Sequence, residues 1–308
     1  MISISDVRVR SFELDFMDVY FDVSPTFEDI ADYQFVVQRA DSQFGEYVNL
    51  TVPFRNRYHV RDNTVRGQYS FYDKLYYRVE VTNTVSGETA YFPELGGVCL
   101  SAKPDLIALE MARMNNLRLK EFSGRLVYVF PKMRSGQRCS TCFDRVAQRK
   151  TRSQCGTCFD TTWVGGYTAP IQTYAMIIVP NETTMHADFG NVEVENSMAM
   201  LGNYPELREG DMIVEAENVR WRVGSTITKV QKQRALIRQQ AQIHRIPKGD
   251  MEYRVPLNLS SDEVRDLIAT PSRNYSNPQT LEGVDLSLIH ISEPTRPLYI
   301  SYAVFCLK

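Results

Sequence analysis

The sequence predicts a mainly β protein: a β-sandwich, a short helix, and a small β-barrel with a metal module set into it. Three observations predict it. Short runs of β-branched and aromatic residues alternate with polar ones through the first hundred residues and again after residue 210. Turn residues such as Ser24-Pro25, Asp62-Asn63 and Ser86-Gly87 punctuate them. Two Cys-x-x-Cys pairs, Cys139/Cys142 and Cys155/Cys158, lie between two strand-like runs.

In order along the chain, residues 7–12, 17–22, 33–39, 75–82 and 89–92 read as strands of a sandwich spanning residues 1–97. Tyr77, Val79 and Val81 share one face by the two-residue period. Residues 98–131 hold a helix and a strand. The helix runs over 104–118, with Pro104 suited to its first turn. Ile107, Met111, Met114 and Arg118 form one row, widened by Leu106, Leu109 and Leu117, and core packing is expected of it. Residues 125–131 and 173–179 read as the two arms of a hairpin whose tip, residues 132–170, has become the metal module; Pro180 is expected to end the second arm. Residues 171–260 read as the barrel. Its hairpin 212–215/219–223 turns at residues 216–218, with Val219, Trp221 and Val223 inward and Arg220 and Arg222 outward. Residues 236–246 fit strand or helix, and 253–256 suggest a last strand. Asp211 and Glu215 are expected to be solvated. Residues 261–285 read as a linker or truncated end. Residues 286–308 match in-frame translation of a sequencing adapter, so His290 and Cys306 are expected to be foreign to the protein.

The 308 residues include 43% hydrophobic and 23% charged residues with a formal net charge of -2, which gives no bulk attraction to nucleic acid or an anionic membrane. The first residues lack a signal-peptide pattern, and no apolar run is long enough for a membrane span. A cytosolic site of synthesis is expected, where cysteines are more often metal ligands than disulfides.

The four cysteines carry the sharpest chemistry. Each Cys-x-x-Cys turn offers two sulfurs to one metal, and two such turns complete a tetrahedron at about 2.3 Å per Zn–S bond. A structural zinc held by Cys139, Cys142, Cys155 and Cys158 is the leading reading; four thiolates leave no open position for a catalytic water. Two disulfides, a redox pair and an iron–sulfur cluster are the alternatives. Residues 131–167 carry few aliphatics, so the ion would serve as their core. Lys132, Arg134, Arg138, Arg145, Arg149, Lys150 and Arg152 surround the cysteines, as a solvated face or a phosphate grip. Phe143, Phe159 and Trp163 are expected to pack beside the metal. His59, His186 and His244 show no triad or ligand spacing, no nucleotide loop or nucleophile elbow occurs, and no catalytic or cofactor-binding residue is assigned.

Three stretches carry resemblances. Tyr33-Gln-Phe-Val-Val-Gln-Arg39, Gly45-Glu-Tyr47 and Leu75-Tyr-Tyr-Arg-Val-Glu-Val81 resemble a fibronectin type III domain, although its usual early tryptophan is absent. Arg125-Leu-Val-Tyr-Val-Phe130, Gly136-Gln-Arg-Cys139, Cys142-Phe-Asp144, Arg149-Lys-Thr-Arg-Ser153, Cys155-Gly-Thr-Cys158, Val164-Gly-Gly-Tyr167 and Pro170-Ile171 resemble a family of tailed-bacteriophage virion proteins. That family usually places a Tyr-Gly-Thr-Gly-like stretch after the last knuckle, where this chain has Phe159-Asp-Thr-Thr162. Tyr204-Pro-Glu-Leu207, Gly210-Asp-Met-Ile-Val214, Val219-Arg-Trp-Arg-Val223 and Arg245-Ile-Pro247 resemble the barrel of phage head-to-tail joining proteins. The resemblances imply a non-enzymatic neck or head–tail connector subunit, made in the host bacterial cytoplasm and carried in the virion. Its partners would be portal, adaptor or tail components and its own copies in a ring. A tail or baseplate component and a nucleic-acid-binding zinc-ribbon protein are the alternatives.

Overall fold

The computed structural model describes residues 2–13, 16–55, 57–65, 75–100, 105–187, 190–233 and 235–257. Seven strands come first: β1 (Ile4–Glu13), β2 (Phe16–Val23), β3 (Tyr33–Ala40), β4 (Val48–Asn49), β5 (His59–Asp62), β6 (Tyr76–Asn83) and β7 (Thr89–Phe92). They form two antiparallel sheets, ordered β1-β2-β5 and β4-β3-β6-β7. Alternate residues of both sheets fill one shared core: Val7, Val19, Phe21, Phe35, Val37 and Val79 are among them. Tyr77, Val79 and Val81 all point into it, as their spacing predicts. The short strands β4 and β5 were not expected, because two and four residues give too little alternation to read. Buried Asp62 ties β5 to β3 and β6: its carboxylate accepts from Tyr77 Oη at 2.9 Å, Arg39 at 3.0 Å and the Thr64 amide at 2.9 Å.

The barrel is closed and six-stranded, in the order β11-β12-β15-β14-β13-β8. Its strands are β8 (Arg125–Phe130), β11 (Ile171–Ala187), β12 (Gly190–Leu201), β13 (Met212–Glu215), β14 (Val219–Lys232) and β15 (Ala235–Arg245); β9 (Phe143–Asp144) and β10 (Arg149–Lys150) lie outside it as a small pair. Val127, Val129, Ala175, Leu201, Trp221 and Ile243 pack inside. Leu126, Tyr128 and Phe130 point to the other face of β8, where Ile246 and Val255 cover them. Burial on both faces accounts for the unbroken apolar run of this strand.

Several expectations change. The strand expected to stop at Pro180 continues to Ala187, with a register shift between Ile178 and Asn181; a proline cannot donate to the ladder, and a shift there spares the bond. The ambiguous 236–246 run is strand β15. The last strand expected at 253–256 is a 3-10 turn, Met251–Arg254, with Tyr253 N–H bonding the Asp250 carbonyl at 3.0 Å. Under that turn Arg220 is buried rather than outward in solvent: it donates to the carbonyls of Glu252 at 2.8 Å and Val255 at 3.0 Å. Asp211 and Glu215 are also buried, and each accepts hydrogen bonds from neighbouring donors. Glu215 accepts from Trp221 Nε1 at 2.6 Å and Arg125 at 2.7 Å.

Pro104, expected in the first turn of helix α1 (Leu106–Arg118), lies outside the described residues, and the helix starts at Leu106. Asp105 caps it, accepting from the amides of Ile107 at 2.9 Å and Ala108 at 3.2 Å. Its apolar row is not core. Ala108, Leu109 and Ala112 are the buried face, against Ala235, while Ile107, Met111 and Met114 stay exposed. Small residues let the helix sit close on β15, so the narrower face packs and the longer side chains are left outside. His186 is outside the side chains described, and the expectations for 261–285 and 286–308 lie outside the described residues. All described residues belong to one compact unit.

Candidate metal centre

The two arms of the expected hairpin pair as predicted: Ile171 faces Val129 and Tyr174 faces Leu126 across β11 and β8. The module between them brings together all four predicted ligands. Cys139, Cys142, Cys155 and Cys158 are buried, with their sulfurs within 4.8 Å of one another. Cys139 Sγ lies 3.7 Å from Cys155 Sγ, and Cys142 Sγ lies 3.3 Å from Cys158 Sγ. Disulfide sulfurs sit about 2.05 Å apart, so these are free thiols in contact. Tetrahedral bonds of about 2.3 Å put ligand sulfurs about 3.8 Å apart, so the cluster fits a single four-coordinate ion.

Local backbone chemistry sets each knuckle. In the first, Phe143 N–H bonds the Cys139 carbonyl at 3.1 Å, and Thr151 donates to the Cys142 carbonyl at 2.9 Å. In the second, the Asp160 carboxylate accepts from the amides of Gln154 at 3.1 Å and Cys155 at 2.9 Å, and pairs with Lys150 at 3.1 Å. Sequence reasoning passed over Asp160 as one of two acids among many bases; a side chain folding back onto amides five residues earlier leaves no periodic signal. Phe159, Asp160 and Thr162 have φ of 48°, 65° and 70°. A non-glycine residue such as Phe159 or Thr162 at a left-handed position stores about 1–2 kcal/mol. At Gly166, φ is 71° and a Cβ would stand 2.8 Å from the Cys158 carbonyl oxygen.

The thiols differ in acidity. Burial pushes Cys142 up, and pushes Cys158 up to about 11. Cys155 is lowered to about 7: burial opposes its ionisation, but the amides of Thr157 and Cys158 point at the sulfur and prevail.

The aromatic residues do not pack around the cysteines; of the apolar side chains, Val164 does. They anchor the module to its neighbours. Trp163 and Met133 enter the core of the sandwich, while Phe159 and Tyr167 join the outer layer of the barrel. Phe143 meets Phe27 at 6.2 Å between ring centres. Main-chain bonds reinforce the sandwich side: Arg138 N–H to the Thr26 carbonyl at 2.8 Å and Thr26 N–H to the Gly136 carbonyl at 3.2 Å. On the barrel side, Asp211 accepts from the amides of Lys132 at 2.9 Å and Arg208 at 2.8 Å and from Arg134 at 3.2 Å. Met133 and Trp163 thereby hold the module to one core, and Phe159 and Tyr167 to another.

The predicted basic face is largely engaged. Arg138 stacks between Trp163 and Phe143, at 3.7 Å and 4.5 Å from their ring centres. Arg145 lies over Phe27 at 4.9 Å, and Lys150 and Arg134 hold carboxylates. The two histidines whose side chains are described stay apart from the thiols: His59 bonds Asp18 at 2.7 Å and His244 meets Asn196. No helix among the described residues is long and apolar enough to cross a membrane. In comparisons with known proteins, no family model and no curated protein matched the chain.

Proposed function

We propose that the chain is a non-enzymatic structural subunit of a tailed-phage virion, placed at the neck as a head–tail connector, with a structural zinc on Cys139, Cys142, Cys155 and Cys158. The observation that carries the reading is the splicing of a saturated four-thiol module between β8 and β11 of a closed six-stranded barrel. Each of the two segments that resemble phage virion proteins falls on one of those parts. Four thiols satisfy a tetrahedral ion completely, so the ion's role is mechanical. The three-plus-four division of the sandwich strands supports a fibronectin type III-like domain. The nucleic-acid reading is weaker, since Arg134, Arg138, Arg145 and Lys150 are engaged within the protein.

Negative-stain microscopy of the purified protein, alone and with the portal and adaptor proteins of its own phage, tests the proposal. A ring, or addition to a portal–adaptor ring, is expected. A chain that stays monomeric and binds none of these proteins overturns it. Retention on DNA that is lost on charge reversal of Arg149 and Arg152 would favour the nucleic-acid reading instead.

A further inference from the structure

The sandwich and the barrel leave a cleft of about 1150 Å³ along their seam. It is walled by the β2 and β5 side of the sandwich, the end of α1, the lead-in to the metal module and the 202–208 loop. Ten of its lining side chains are lysine or arginine and three are carboxylates. A second hollow shares Lys132, Met133, Arg134 and Arg208 with the first and adds Arg222. In a chain of net charge -2, this is a local concentration of positive charge.

The basic residues divide into two groups. Arg8, Arg10, Arg61, Arg113 and Arg134 are already paired with carboxylates. Arg55, Lys120, Lys132 and Arg208 form no ion pair among the described residues; Arg57 donates to the His59 carbonyl at 2.6 Å and lies 6.0 Å from the Phe54 ring centre, with no carboxylate partner among the described residues. Those charges cost little while the cleft is wet and are available to an anionic ligand. Most of the cleft's aromatic rings are already engaged: Tyr58 is buried in the sandwich core and Tyr174 packs against the outer layer of the barrel. The Arg61 guanidinium covers Tyr204 at 4.3 Å, and Tyr20 stacks on His59 at 4.5 Å. Binding of single-stranded nucleic acid depends on free aromatic faces for its bases, so phosphates with bases attached fit this seam poorly. Carboxylates on an extended chain fit it: side chains on one face repeat about every 7 Å, and arginine takes carboxylates in a bidentate fork.

We propose that this seam binds an extended acidic polypeptide segment, whose Asp and Glu side chains pair with Arg55, Arg57, Lys120, Lys132 and Arg208. The inference is independent of the neck assignment, since it rests on the cleft's charge and its occupied rings alone.

Fluorescence anisotropy of the full chain with labelled decaglutamate and with a labelled thymidine decamer tests it. Saturable binding of decaglutamate is expected at low salt, weakening as ionic strength approaches roughly 150 mM. The double reversal Arg55→Glu with Lys120→Glu should weaken it by about ten-fold or more, while reversal of Arg149 and Arg152 outside the seam leaves it unchanged. If the double reversal unfolds, Arg55→Ala with Lys120→Ala replaces it, with the same direction expected. Absence of decaglutamate binding at low salt overturns the proposal. So does binding that a folded seam variant leaves intact, or tighter binding of the thymidine decamer that the seam variants abolish.

Discussion

The sandwich and the metal module are ordered by different means. The sandwich closes a core of aliphatic and aromatic side chains from two sheets, and each such side chain contributes about 1.5–3 kcal/mol on burial. The module has four thiols where a core would be, with Val164 beside them. Its aromatic residues are turned outward into its neighbours. With a metal on the four thiols, as proposed, the module's order would come from the ion while its placement comes from the two cores it enters. Losing the ion should therefore loosen the sandwich as well as the module.

The largest expected effect breaks the module. Cys155→Ser replaces a thiolate ligand with a hydroxyl that stays protonated at neutral pH, and metal binding worth on the order of 10 kcal/mol is forfeited. Limited trypsinolysis should cut within residues 132–167, and the melting temperature of the sandwich should fall because Trp163 and Met133 leave its core. Trp163→Ala separates placement from metal. It should cost about 3–5 kcal/mol in denaturant unfolding while metal content stays the same. Asp62→Asn perturbs the sandwich alone. Burial raises the Asp62 pKa, but the hydrogen bonds from Thr64 and Tyr77 and the Arg39 contact outweigh it and hold the carboxyl below its usual range. A depressed carboxyl adds stability that is complete above its unfolded pKa of about 4 and is lost as pH falls through the folded value. The variant should thus be about 1–3 kcal/mol less stable than wild type at neutral pH, with the gap narrowing below about pH 4 in parallel denaturant titrations. The smallest effect is a gain. Gln154 has φ of 59° and is exposed, so Gln154→Gly should relieve strain and raise stability by less than about 1 kcal/mol, read as a small rise in melting temperature.

The same contrast explains what was legible in the sequence. The ligands were, because Cys139/Cys142 and Cys155/Cys158 are local pairs whose spacing is set by one turn each. So was β6, whose burial alternates regularly, and so were β2 and β3, whose β-branched and aromatic runs are long enough to read. The hairpin that carries the module was legible from its two apolar arms. The docking was not: Trp163 enters a core built from the sandwich strands and Tyr167 one that includes Ile246 and Val255, partners far from either residue in the chain. The exposed row Ile107, Met111 and Met114 misled for the same reason, since apolar periodicity marks a face without telling whether small residues on the opposite side pack instead. Buried Asp211, Glu215 and Arg220 were hidden because their partners come from other strands and turns.

The measurement closest to the central claim is the metal content of the full chain purified under reducing conditions, followed by alkylation. One zinc per chain is predicted, with Cys139, Cys142, Cys155 and Cys158 protected from alkylation until a chelator is added, and with the module and the sandwich losing protease resistance together on chelation. A folded chain without zinc or iron, its four cysteines freely alkylated and its protease resistance unchanged, would contradict the account.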